Sequence, residues 1–132
     1  MDLIKITPDS ERAKNILKMV NLIKERIKIQ DKEKMTPLII TDYYEIIKEL
    51  ITAILYLDGF KTLSHKDLIE YIKTNYKELS QGEISILDNL RILRNRVAYE
   101  GVDIEKDYLT RNESNFRKII RKLESIIDKK LN

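Results

Sequence analysis

A chain of 132 residues is one domain's worth of sequence and is long enough to bury a core unaided. It has no cysteine and a single histidine, His65. Disulfides, Cys-based zinc sites and thiol catalysis are thereby excluded, and neither a His-rich metal site nor a Ser-His-Asp triad is supported.

Charged residues make up 36% of the chain with both signs interspersed, for a formal net charge of +3. That balance permits RNA or another acidic partner without demanding one. Met1-Asp2-Leu3-Ile4-Lys5 lacks the continuous apolar run of a secretory leader. The greasiest stretch, Ile46 to Leu57, is interrupted by Lys48 and Glu49 and is too short to span a bilayer. The expectation is a soluble, cytoplasmic protein that does not associate with membrane.

Thr7-Pro8 reads as a helix start, a capping hydroxyl followed by proline at the first helical position. Ala13, Ile16, Leu17, Val20, Ile23 and Ile27 then recur at three- and four-residue steps, giving a first helix with one apolar face. The polar run Gln30 to Lys34 is a loop or a frayed end. Thr36-Pro37 repeats the start signal, and from Leu38 to Leu57 apolar residues occupy most of the circumference. A helix of that kind lies at the centre of a bundle or in an interface. Asp58-Gly59 ends it.

Ser64-His65-Lys66-Asp67 has the form of a capping box, and Leu68, Ile69, Ile72 and Tyr76 mark a short third helix. Gly82 separates it from a fourth, whose apolar stripe is read as Ile86, Leu90, Leu93 and Val97 and whose end is Gly101. Phe116, Ile119, Ile120, Leu123, Ile126, Ile127 and Leu131 define a long terminal helix. Val102 to Arg111 is its first part or a linker. No segment alternates with period two. The pattern predicts an all-α fold, an up-and-down bundle of four to five helices forming one domain over residues 1–132.

The fourth helix carries the chemistry. Arg91, Arg94, Asn95 and Tyr99 fall on an arc beside the predicted stripe, and Arg91, Asn95 and Tyr99 are four residues apart, so their side chains can meet. Arginine's planar fork suits phosphate, and asparagine offers both a donor and an acceptor. Such a patch, with Arg96 beside it, suits a phosphodiester or nucleotide. Basic residues at a helix C-terminus also favour the helix dipole with no ligand at all.

Arg94-Asn95-Arg96-Val97-Ala98-Tyr99 resembles the signature of the HEPN superfamily: Arg, a polar residue (often Asn), a few more residues, then His. The turn from Leu55 through Gly59 and Ser64 to Leu68 is similar to the HEPN turn between a long second helix and a short third, and the order of five helices matches. The resemblance spans about Thr36 to Gly101. It implies a helical bundle that pairs as a homodimer, with the two signature helices meeting across a cleft. In active members that cleft is a metal-independent endoribonuclease, so neither a metal nor a cofactor is implied. By the resemblance Arg94 would clamp phosphate, Asn95 would orient it, and Tyr99 would stand at the catalytic histidine's position; the patch itself adds the charge of Arg91 and Arg96.

That substitution matters. Proton transfer needs a group that titrates near neutrality, and a phenol has a reference pKa of about 10. The leading expectation is a HEPN-like protein that binds RNA, a nucleotide or a protein partner and is inactive or weak as a ribonuclease. The alternatives are an active toxin-type endoribonuclease neutralised by a nucleotidyltransferase partner, and a structural adaptor dimer. His65, at the start of the third helix, is expected to be exposed or capping, with a catalytic role the lesser option. The tyrosines at helical spacing read as core or interface, and the row Asp42, Glu45, Glu49 reads as surface. No P-loop or dinucleotide fingerprint is present.

Overall fold

The structure, a computed structural model, describes all 132 residues. It is all-α. Five helices, α1 (Ser10–Ile29), α2 (Thr36–Asp58), α3 (His65–Asn75), α4 (Gln81–Glu100) and α5 (Lys106–Leu131), form a bundle. Two short strands, β1 (Ile4–Lys5) and β2 (Phe60–Lys61), pair antiparallel. No helix is long and apolar enough to cross a membrane.

α2 is the axis of the bundle. Ile39, Ile40, Ile46, Ile47, Leu50 and Ile54 are buried around its whole circumference because α1, α4 and α5 each pack against a different side. Its predicted centrality is thus what the packing requires. α1 runs back along it, with Arg26 bonded to Asp42 near one end and Arg12 over Tyr56 near the other. α5 runs alongside in the same direction, from Glu113 at Tyr43 to Lys130 at Asp58.

α2 ends where Gly59 turns left-handed at φ 88°. A Cβ there would sit 3.0 Å from the Ile6 carbonyl oxygen, so the turn needs both glycine's freedom and its lack of a side chain. The approach exists because Ile6 N–H donates to the Gly59 carbonyl at 2.9 Å, continuing the β1–β2 pairing.

Several local readings shift. α1 starts at Ser10, capped by Asp9, which accepts from Arg12 N–H; Thr7-Pro8 belongs to the incoming segment. Thr36 does not cap α2, since its hydroxyl donates back to the Lys32 carbonyl. Ser64 caps α3, but the box is half made: Asp67 accepts from Asp2 N–H instead of closing on Ser64. Gly82 lies inside the first turn of α4, which starts one turn earlier than its apolar residues suggest, because Ser80 and Glu83 form a full capping box. Asp42 is only 8% exposed, held by Arg26 and Gln30, and is not surface.

The most consequential shift is the register of α4. Its buried residues are Glu83, Leu87 and Leu90, with Ile86, Leu93 and Val97 only partly buried. The inward line is therefore rotated by one residue, and it is polar at its start. Glu83 is tolerated there because Lys122 of α5 donates to it at 2.6 Å and Ser80 N–H at 2.8 Å.

Candidate functional site

Following that line to its end places Arg94 four residues after Leu90 and seven after Leu87, on the side of α4 that faces α2. Its guanidinium leaves the core edge and lies over the Tyr44 ring, 5.8 Å from the centroid. Such a contact is worth about 0.5–2 kcal/mol and fixes the head group in place. One guanidinium nitrogen donates to Asn95 Oδ1 at 3.2 Å. Arg94 and Asn95 thus form one preset unit.

His65 contacts the same tyrosine, its ring centroid 5.8 Å from that of Tyr44 with the planes tilted by 41°. The β2–α3 link carries the chain back along α2, so the first residue of α3 arrives beside Tyr44 and Lys48. Burial lowers the His65 pKa, and the charges of Lys48, Arg94 and Arg91 lower it further, against the opposing field of Glu45. The fold therefore favours the neutral imidazole over the charged one. Burial raises the Tyr44 phenol to about 12 even though Arg91 and Arg94 pull it down, so Tyr44 remains a protonated platform.

Carboxylates account for most of the positive charge here. Arg91 is bound to Asp88 through two nitrogens, at 3.0 and 3.1 Å. Lys48 pairs with Glu45 at 2.7 Å and Glu49 at 3.1 Å. Arg96 is exposed on another side of the helix, 3.9 Å from Glu100. Arg94 has no carboxylate partner. Its donors are directed at an amide and a ring face, which leaves capacity for an external anion.

Tyr99 stands apart. It is 80% exposed, one turn beyond Asn95, on an outward row with Ile92 and Asn95. Within one chain Arg91, Arg94 and Asn95 are gathered with Tyr44, Lys48 and His65, whereas Arg96 and Tyr99 lie outside that group. Sequence reading missed Tyr44 and Lys48 as neighbours because nothing local brings α2 to Arg94. For His65 the one local cue is its position as the first residue of α3, after the link from β2. No cluster of three His, Asp or Glu side chains is arranged to hold a metal ion.

A pH dependence follows from His65. Its folded pKa is depressed, so folding favours the neutral ring. That stability is fully present above the unfolded value of about 6.5 and is lost as pH falls toward the folded value. Thermal unfolding followed between pH 7.5 and 5 should show a fall in Tm across this window that His65→Gln lacks. An identical profile in the variant would mean that His65 is not confined as described.

No protein-family model matches the chain, and no curated protein matches it with significance.

Proposed function

We propose that the chain is a HEPN-like binding protein that works as a homodimer and holds RNA through its phosphates, with little or no ribonuclease activity. The observation that carries this reading is Arg94: positioned over Tyr44, locked to Asn95, and the one guanidinium of the cluster without a carboxylate. A preset, uncompensated arginine beside an amide suits a phosphodiester oxygen. The outward row Ile92, Asn95 and Tyr99 supports pairing of two copies through α4, because it exposes two large apolar side chains on either side of a polar one. We infer weak catalysis because Tyr99 stands outside the group around Arg94, and because the Tyr44 phenol within that group stays protonated. The same cleft would accept a free nucleotide. Competition by one is the expected signature of phosphate recognition.

The test is fluorescence anisotropy with a labelled single-stranded RNA. Affinity should fall steeply with added salt, and Arg94→Ala should weaken it about tenfold or more, the loss of one charge-assisted contact of about 1.5–3 kcal/mol. Salt-insensitive binding, or none, would move the assignment to an adaptor that contacts only protein.

A further inference from the structure

On another side of the bundle α1 and α5 lean on α2 without closing on each other, and a cavity of about 250 Å³ opens between them. Its floor is apolar, built by Ile27, Ile46 and Ile120. Its rim is cationic: Lys24 and Lys28, four apart on α1, face Arg117 and Arg121, four apart on α5. From this arrangement we propose a second ligand site, independent of the α4 reading, that takes a small organic phosphate monoester with an apolar substituent.

Charge is the first argument. The four rim cations have three carboxylate partners among them, of which only Glu124 lines the cavity. Lys24 meets Glu124 across the mouth at 2.6 Å, Lys28 reaches Glu25 at 3.2 Å and Arg117 reaches Glu113 at 3.3 Å. Glu113 is already shared with Tyr43 and Lys32, at 2.6 and 2.8 Å. Arg121 has no carboxylate partner and is exposed. The Lys24 and Glu124 side chains are still 34% and 29% exposed, so an incoming anion can reach Lys24 and compete with the carboxylate for it.

Size and geometry narrow the ligand. The volume lies below the roughly 300–1,000 Å³ that holds drug-sized molecules, which points to a body of about ten heavy atoms. Two arginine forks on one helix face, opposite two lysines, present more donors than a carboxylate's two oxygens can use. A phosphoryl group has three oxygens and two charges to satisfy them. The isoleucine floor then favours an aryl or alkyl ester over inorganic phosphate.

Phenyl phosphate is the probe. In a titration of the full chain labelled at its isoleucine methyls and followed by NMR, the Ile27, Ile46 and Ile120 resonances should shift saturably. The Kd should be about 1 mM or tighter, as suits so small a ligand. Inorganic phosphate and hexanoate should each bind at least tenfold more weakly. Arg121→Gln should cost about tenfold with an unchanged Tm, since the side chain is exposed and unpaired, and Arg94→Ala should bind as the wild type does. Overturning results are an absence of saturable shifts, hexanoate or inorganic phosphate matching the ester, indifference to Arg121→Gln, or loss of binding in Arg94→Ala.

Discussion

Asp58→Ala is expected to lower stability by about 3 kcal/mol, roughly 10 °C in Tm for a domain of this size. Asp58 is the last residue of α2, and its carboxylate joins three elements. One oxygen accepts from both the Tyr71 and Tyr76 hydroxyls, each at 2.6 Å, and the other pairs with Lys130 of α5 at 2.6 Å. Alanine would leave two phenols without an acceptor, one of them on the buried Tyr71, and would release the end of α5. An unsatisfied buried donor costs about 1–3 kcal/mol, which sets the magnitude. Tyr76→Phe removes a single arm and should cost less than half as much.

The same node predicts an acid limb. Burial alone would raise the Asp58 carboxyl, but hydrogen bonds from Lys130, Tyr71 and Tyr76 outweigh it and hold its pKa below the usual carboxylate value. A depressed carboxylate contributes stability above its unfolded pKa of about 3.9 that is lost as pH falls through the folded value. Denaturant midpoints measured at pH 7 and pH 3 should therefore differ more for the wild type than for Asp58→Ala. A variant within about 0.5 kcal/mol of the wild type at neutral pH would mean that water serves the two tyrosines as well as Asp58 does.

Legibility from sequence tracked how local each determinant is. α2 was readable because its apolar residues surround it, and the helix ends at Gly59 and Gly101 because a left-handed cap is a local demand for glycine. The α4 register was not readable. Its inward line starts at Glu83 and leads to Arg94, residues that any hydrophobic period assigns to solvent. Their partners, Lys122 and Tyr44, are 39 and 50 positions away in the chain. Asp42 was misplaced for the same reason: Arg26 and Gln30 on α1 compensate its burial. The two strands are two residues each, too short to show alternation, and exist because Gly59 lets the leading segment dock. The arginine and asparagine of the candidate site were visible from their types. That Tyr44 and His65 join them, and that Tyr99 does not, depended on how three helices pack.

If the chain holds RNA as proposed, Tyr99→His should convert that binding into metal-independent cleavage of single-stranded RNA. The expected gain over the wild type is about 10²–10⁴, the usual contribution of a positioned proton-transfer group. Imidazole as a side-chain type has a reference pKa near neutrality, which suits it to proton transfer. Geometry adds a stricter requirement. Residue 99 follows Arg94 by five positions, about 140° around the helix at roughly 100° per residue, and the Arg94 guanidinium is turned toward Tyr44. One copy of α4 therefore does not present both groups to one phosphate; two paired copies can, each supplying what the other turns away. The gained activity should accordingly disappear in the Tyr99→His/Arg94→Ala double variant and fall faster than linearly on dilution through the range where sedimentation shows the dimer dissociating. Metal-free cleavage by the wild type that Arg94→Ala abolishes would refute the inactive assignment and make Tyr99 or His65 the proton carrier. Unchanged RNA binding with no cleavage in Tyr99→His would show that the paired helices do not bring position 99 to the phosphate. Cleavage that scales linearly with concentration would place both groups within one chain and remove the reason for a shared cleft.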